Sequence, residues 1–404
     1  MSRLKSISSL GGWQGFVVVG VHRPGIDVVE VELRPRSGPV SRCGGCGGKT
    51  RRVHDWVMRK AQDLPIWDFR TRLTVHCRRV LCTRCGCRTE QIEWLDRYSR
   101  VTKRLADAVV LLCEVLPIQH VAQHYGMSWN TVKRIHKAHL QKELEPADLS
   151  GITVIGMDEF AIQKGHRYAT VIVDMDTKRV LWVGRGRGRE DIRPFFHLLG
   201  KEGCKQLEAV AMDMNGAYEE EVRAHCPHIA IIYDLYHVKA KYNRDVLERV
   251  RIDELGRVKG GQPGRKVTQS QRWLLLRNKH NITNQQDRIR LRDLLAANKR
   301  LYTVYVLKDD LNHLWSYRSK AAAQRFWSQW YRRAIYSRIP ALKKFARNLK
   351  TYIPGILSHC TYLVGTSLIE GINNKIKVIK RMAYGFRDDH YFFLGIRHAF
   401  PGNR

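Results

Sequence analysis

The alternation of apolar and polar residues along this chain predicts most of its elements. Ile152-Thr-Val-Ile-Gly-Met-Asp158 and Leu207-Glu-Ala-Val-Ala-Met-Asp213 are apolar runs that each end in an aspartate, and both read as buried strands with the acid at the C-terminal edge. Between them, Tyr168-Ala-Thr-Val-Ile-Val-Asp174 and Val180-Leu-Trp-Val183 predict a hairpin joined at Asp176-Thr-Lys-Arg, with Asp174 and Asp176 shaping the turn. Glu190 to Leu199 has the spacing of an amphipathic crossover helix, and Ile229-Ala-Ile-Ile-Tyr-Asp234 reads as a fifth strand followed by a helix. Upstream, Trp56-Val-Met-Arg-Lys and Thr71-Arg-Leu-Thr-Val-His-Cys-Arg-Arg-Val80 predict strands of a small β-rich module. Val121 to Lys137 predicts a helix, a tight turn at Gly126 and a second helix capped by Ser128 or Asn130.

From residue 152 onward the predicted order is three strands, a helix, a strand, a helix, a strand and a helix, the order of the RNase H-like fold. Open α/β sheets place their chemistry at the C-terminal edge of the strands, so Asp158 and Asp213 are candidates to share a pair of divalent cations. The third acid comes from Thr366 to Phe386, where a helix starting near Ser367 puts Glu370, Asn374, Lys377 and Arg381 on one face. A carboxylate heading a basic ridge suits a metal-binding acid that works on a polyanion. Ser367 and Glu370 also fit a capping box, in which the glutamate only satisfies a backbone donor. Carboxylates are the right ligands for a hard ion such as magnesium or manganese, and two such ions about 3.5–4 Å apart serve both the attacking and the leaving oxygen of phosphodiester chemistry. Glu159 would point to the opposite side of a continuing strand, and Asp234 either caps the next helix or supports the metals.

Charge narrows the substrate. The chain has 71 Lys and Arg against 38 Asp and Glu, a net +33, which calls for a polyanionic partner because that much self-repulsion destabilises a compact chain. Part of the excess is concentrated between Lys241 and Arg300, with 16 basic and 6 acidic residues. With 404 residues and 44% hydrophobic content, two or more domains with proper cores are expected. Met1 to Gly20 lacks the pattern of a secretory signal, and apolar runs such as Ala108 to Cys113 are too short to span a bilayer, so no membrane partner is expected. The expected location is the cytoplasm, with nucleoid association in a prokaryote, where the ten cysteines are reduced or metal-bound.

Four of those cysteines form two knuckles, Cys43-Gly-Gly-Cys46 and Cys82-Thr-Arg-Cys85, separated by 35 residues. Four thiolates match a closed, structural zinc site, and the module between the pairs is too small to bury much core without the metal. Cys77 and Cys87 are spare sulfurs able to replace one ligand. In the helix-turn-helix, Ala122 and Gly126 fit close packing and Val132 and Ile135 face inward, leaving Trp129, Asn130, Lys133, Arg134 and Lys137 to face outward towards DNA, together with Lys377 and Arg381 of the later ridge. The 157 residues from Asp213 to Glu370 exceed what one strand and one helix require, which predicts a helical insertion over residues 243–350, interrupted at Gly260-Gly-Gln-Pro-Gly264. Its tryptophans, Trp273, Trp315, Trp327 and Trp330, are either core residues or, where exposed, able to stack on an unpaired base.

The chain resembles the insertion-sequence transposases of the ISL-three family, within the DDE superfamily. The likeness runs from about Cys43 to about Pro401 and rests on Gly156-Met-Asp158, Asp213-Met-Asn-Gly-Ala-Tyr218, Asp234-Leu-Tyr-His-Val-Lys239, Arg272-Trp-Leu-Leu-Leu-Arg277, and the Glu370 segment continuing through Ala383-Tyr-Gly-Phe-Arg387. It implies that Asp158, Asp213 and Glu370 bind catalytic magnesium, that the N-terminal modules bind the element's terminal inverted repeats in double-stranded DNA, and that a homodimer or higher homo-oligomer forms on that DNA. Leu235-Tyr236 stands where Arg-Phe often precedes the histidine, which leaves the roles of Asp234 and His237 open. The expected fold class is multidomain α+β: a zinc-binding β-rich module over residues 1–95, a helix-turn-helix over 96–149, an RNase H-like core over 150–242 and 351–404, and the helical insertion between the two core parts. The expected function is metal-dependent DNA strand cleavage and strand transfer. The alternative is a domesticated DNA-binding regulator without turnover.

Overall fold

A computed structural model describes residues 11–38, 40–163, 165, 167–257, 272–277, 281–362, 364 and 367–403. Gly260 to Gly264, the Thr366 backbone and the Ser367 side chain lie outside the described parts, and with them the proposed loop and the capping-box reading. Two compact units form: one runs to Glu145 and takes in Lys380–Leu394, the other runs from Pro146 to Ile379 and takes in the chain from Gly395.

The first unit opens with strands β1 (Phe16–Gly25), β2 (Val28–Pro35), the short pair β3 (Ser41–Arg42) and β4 (Lys49–Thr50), β5 (Val53–Ile66), β6 (Phe69–Cys82) and β7 (Gly86–Thr89). The main sheet has the order β1-β2-β6-β5, with β7 paired to β6. Alternation along β6 explains its faces: Thr71, Leu73, Val75 and Cys77 are buried while Arg70 and Arg72 are exposed. The inner face, to which β2 adds Val31 and Leu33, clusters with Trp13 and Leu95. Predicted strands at Trp56 and Thr71 are there, but as arms of one long hairpin that starts earlier and ends later than the apolar positions suggest, because cross-strand pairing extends through the polar residues.

Helices α1 (Lys103–Cys113), α2 (Ile118–Tyr125) and α3 (Trp129–Leu144) follow. Thr102 caps α1 and Ser128, not Asn130, caps α3. Gly126 closes α2 at φ 60°, a left-handed conformation that favours glycine, and a Cβ there would lie 2.5 Å from Arg70 Nη1. Val132 is fully buried with Val121 and Ala122, and Ile135 packs at the edge of that cluster. Sheet and helices are tied by Asp63, which accepts from Trp13 Nε1 at 2.7 Å, Thr102 Oγ1 at 2.6 Å and Arg104 Nε at 2.7 Å. Burial alone would raise the Asp63 carboxyl, but Arg104 and Thr102 outweigh it and hold it below the usual range.

Cys43, Cys46, Cys82 and Cys85 place their sulfurs within 4.8 Å of one another. That suits a tetrahedron whose edges are roughly 3.8 Å for Zn–S bonds of about 2.3 Å. Gly45 N donates to Cys43 Sγ at 3.3 Å, and a Cβ on Gly45 would lie 3.2 Å from Cys85 Sγ. The amides of Arg84 and Cys85 hold the Cys82 thiol down to about 7. Cys77 is buried, donates to Val75 O and is pushed up to about 11 by that burial, so it is a core residue and not a substitute ligand.

The second unit contains a five-stranded sheet of β8 (Val154–Gln163), β9 (Arg167–Asp174), β10 (Val180–Arg185), β11 (Ala209–Met212) and β12 (Ala230–Tyr233), in the order β10-β9-β8-β11-β12. The first three strands are antiparallel neighbours while β11 runs parallel to both β8 and β12, the RNase H-like arrangement. Asp174 accepts from Asp176 N and Thr177 Oγ1 and so shapes the hairpin turn. Helix α4 (Arg189–Gln206) is longer than predicted because Gly200, at φ 71°, bends it and lets it resume. Helices α5 (Gly216–His225) and α6 (Leu235–Tyr242) follow β11 and β12. Glu221 of α5 is 1% exposed and ties α5 to α4 through Arg189 Nε and Arg193 Nε, both at 2.7 Å, with His225 at 3.0 Å.

Beyond α6 the described elements are helical: α7 (Glu248–Arg257), α8 (Arg272–Leu276), α9 (Gln285–Ala297), α10 (Lys299–His313), α11 (Lys320–Tyr336), α12 (Pro340–Lys350), α13 (Ile353–Leu357), α14 (Ser367–Met382) and α15 (Asp389–His398). The buried apolar residues of α7 to α13 belong to the same cluster as one face of the sheet. Trp327 and Trp330 are core, Trp315 packs against it, and Trp273 is 41% exposed. No helix among the described residues is long and apolar enough to cross a membrane.

Two outcomes are expected. Cys43→Ser or Cys82→Ser should lose the single zinc per chain and unfold the knuckles, while Cys77→Ala keeps it; metal analysis with limited proteolysis decides, and full zinc in both serine variants would contradict the ligand set. Arg193, then Arg189 and His225, hold the Glu221 carboxyl down to about 2 against the effect of burial. Because the folded value lies below the unfolded one, its contribution is complete above the ordinary glutamate range and is lost as the pH falls towards about 2. Glu221→Gln should cost about 1–3 kcal/mol at neutral pH by denaturant unfolding, and the difference from wild type should close on acidification.

Candidate active site

Strand pairing decides where the acids stand. β11 pairs with β8 only as far as Ala211 opposite Gly156, and ends at Met212. β8 does not stop at Asp158 as expected but continues to Gln163, held by β9 on its other side. The edge of the sheet is therefore made by the end of β11, which Asp213 follows directly, while Asp158 is still inside β8 opposite Val171. Asn215 caps α5 behind Asp213, and Asp234, at the end of β12, caps α6 by accepting from Tyr236 N at 2.9 Å.

Gly156 brings the third acid in. A Cβ on Gly156 would lie 2.7 Å from Ile369 Cδ1 and 2.5 Å from Met175 Sδ, so the glycine lets Ile369 of α14 pack directly on β8 and a larger residue would make both side chains shift. Ile369, Ile372 and Ile376 are buried, which turns the polar face of α14 into a cleft of about 380 Å³. Asp158, Asp213, Glu370, Asn374 and Lys377 all line it, with Glu159, Asp234, His237 and Asn373. Arg381, a turn beyond Lys377, is exposed and is not part of the lining.

Asp158 is fixed at both oxygens: Glu159 N donates to Oδ1 at 2.8 Å and Asn373 Nδ2 to Oδ2 at 2.7 Å. Asp213 Oδ1 is buried and, among the described residues, has no hydrogen-bond partner. Burial pushes the Asp158 carboxyl up to about 6, the charges of Asp213 and Glu159 push the same way, and His237 opposes them. Asp213 is raised too, again first by burial, with His237 opposing. An orphaned carboxylate oxygen beside a second desolvated acid fits a hard divalent cation. Glu159 belongs to the cleft wall, contrary to the expectation that it faces away, but its carboxylate is engaged by Arg187 at 2.9 Å. His237 Nε2 stands 3.9 Å from Asp234 Oδ2.

In the first unit, Trp129, Asn130 and Arg134 are exposed on α3, as the helical spacing predicts. Lys133 and Lys137 are not free to face outward: they hold Asp388 at 2.8 and 2.9 Å, and Tyr391 OH lies 2.6 Å from His136 Nδ1 on the same helix. The two lysines are four residues apart, so one carboxylate can take both. Sequence reasoning missed this pair because Asp388 lies some 250 residues away. It also missed Asn373, although its place three residues after Glu370 was the available signal.

Comparison with known proteins agrees with this geometry part by part. A family described as transposase matches residues 155–396, the helix-turn-helix domain of transposase family ISL3 matches 90–140, and the zinc-finger of transposase IS204/IS1001/IS1096/IS1165 matches 39–87. The chain is 48% identical over 402 residues to the transposase for insertion sequence element IS1001 of Bordetella parapertussis, covering 99% of this chain and 98% of that protein. It is 27% identical over 389 residues to the transposase for insertion sequence element IS1557 of Mycobacterium tuberculosis, covering 89% and 85%. With a zinc-finger, a helix-turn-helix and an RNase H-like core each matched in its own place, the chain belongs to the ISL3 family of transposases.

Proposed function

We propose that this DNA transposase binds the terminal inverted repeats of an insertion sequence with its first unit and cuts and joins DNA strands in the cleft of its second. The observation that carries the catalytic half is the meeting of Asp158, Asp213 and Glu370 in one cleft, with a buried Asp213 oxygen that no described group satisfies. These three residues would hold magnesium or manganese, which when bound lowers the pKa of an attacking water or hydroxyl and offsets charge on the leaving oxygen. Asn373 and the Glu159 amide fix the Asp158 carboxylate in one orientation, so no reorganisation is needed at the moment of reaction. Lys377, on the same helix face as Glu370, offers a cation to the phosphodiester entering the cleft. His237, backed by Asp234, lies on the same wall as a donor to a phosphate oxygen.

On the binding half, Trp129, Asn130 and Arg134 would contact the repeat, while Lys133 and Lys137 are shared with Asp388 and set the helix in place. Lys377 and Arg381 would add sequence-independent contacts, and a homodimer or higher assembly would bring two ends together. This reading places the protein in the cytoplasm of a prokaryote, at the nucleoid.

Asp158→Asn, Asp213→Asn and Glu370→Gln should each lower cleavage of an end-containing duplex by more than about 10³-fold while leaving end binding near wild type. Cleavage by the Glu370 variant at the wild-type rate would return that residue to a capping role. Full-length protein carrying Arg134→Ala should bind the ends about tenfold more weakly, whereas Asn130→Ala should narrow the preference for ends over random duplex; unchanged binding in both would remove α3 from the interface.

A further inference from the structure

Two hairpin tips lie together at one end of the first unit's sheet. The turn between β1 and β2 carries Ile26, 94% exposed, and the turn between β5 and β6 carries Trp67, 87% exposed. The tips are neighbours because β2 pairs in parallel with β6 from Val28 opposite Arg70, and Arg70 N donates to Asp27 O at 2.9 Å. Neither side chain serves the fold. Trp67 sits at φ 50°, a left-handed conformation in a two-residue turn where glycine or asparagine is the favoured choice. A bulky aromatic held there and left in solvent points to a ligand, since strain of this kind persists where function requires it.

Position and charge say which ligand. Arg70, beside the tips, passes against the helix-turn-helix at Gly126, and Gln62 Nε2 of the same hairpin donates to Tyr125 O at 2.5 Å. Gly126 is three residues before Trp129, where the recognition helix begins, so the tips and the start of that helix belong to one compact unit. Arg23 stacks 4.2 Å over the Phe69 ring at the tip, and Arg72 is exposed on the outer face of β6. Asp27 is neutralised by Arg70, which leaves Asp68 as the remaining acid of the turn. Residues 1–145 carry 25 Lys and Arg against 13 Asp and Glu, so the unit that displays these tips is drawn to a polyanion.

We propose that the paired tips form a second DNA contact, in which Trp67 and Ile26 enter the minor groove next to the major groove occupied by α3. Apolar wedges of this kind unstack a base step, while nearby arginines hold the flanking phosphates. The contact would extend the footprint beyond what α3 reaches and would favour a deformable step at a fixed distance from the bases α3 reads. It rests on the reading that the first unit binds duplex DNA, and names a site within it.

The test uses full-length protein and the variants Trp67→Gly and Ile26→Ser. Glycine relieves the backbone at position 67, so a purely structural role predicts equal or higher melting temperature and unchanged DNA binding. The proposal predicts equal or higher melting temperature, full zinc content, and about tenfold weaker binding to an end-containing duplex, with loss of minor-groove protection on one flank only. The major-groove footprint of α3 should remain, and it is the footprint that Arg134→Ala weakens. Should wild type show no preference for element ends, the flank protection and its loss in Trp67→Gly are read on whichever duplex binds, so the two readings fail separately. Unchanged affinity and footprint in both variants would overturn the proposal. So would a change in sedimentation behaviour with an unchanged footprint, which would assign the tips to a second copy of the chain.

Discussion

Two carboxylates that are costly to ionise together organise the second unit of this protein. Elsewhere among the described residues, three buried acids hold an arginine, Asp63 with Arg104, Glu90 with Arg78, and Glu221 with Arg189 and Arg193, while a fourth, Asp174, is satisfied within its turn by Asp176 N and Thr177 Oγ1. Asp158 and Asp213 hold no arginine. Burial raises both, the charge of Glu159 adds to the cost of each and that of Asp213 adds to the cost of Asp158, so the pair is an electrostatic deficit that a divalent cation offsets. The fold carries that cost at the place where chemistry on a polyanion requires it.

Much of the surrounding architecture supports this juxtaposition. Parallel pairing of β8 with β11 brings the two acids to one cleft, and the early end of β11 opens the space beside them. The absence of a side chain at Gly156 admits α14, and the buried stripe of Ile369, Ile372 and Ile376 fixes which face of that helix meets the cleft. Glu370, Asn373 and Lys377 then follow from helical spacing alone. The arginine latch on Glu221 holds α4 against α5, the helix that leaves the Asp213 loop. In the first unit the same logic appears with the charges paired: Asp63 joins sheet to helices, and Asp388 joins α3 to the segment that follows α14 in sequence.

The strands, their order and the acids were legible because buried strands leave short apolar runs, and because an aspartate closing such a run is conspicuous. The knuckles were legible from spacing, and the four sulfurs do meet. What was not legible depends on contacts between distant positions. Lys133 and Lys137 read as free cations on a helix face, since nothing near them in sequence announces Asp388. Asp158 read as a strand terminus because the apolar run stops there, although backbone pairing with β9 carries the strand on regardless of side-chain polarity. Glu159 illustrates the same limit: alternation predicts its direction, but the width of the cleft and the reach of Arg187 decide what it meets.

The central claim is that the recessed acids form a cation site, and direct binding tests it without reference to turnover. Manganese titrated into the full-length protein, followed by electron paramagnetic resonance or calorimetry in the absence of DNA, should saturate a site that magnesium competes for. Asp213→Asn should abolish that saturation, while Glu221→Gln, which alters a buried acid already paired with arginine, should leave it unchanged. Manganese binding of equal strength in Asp213→Asn and wild type would contradict the account.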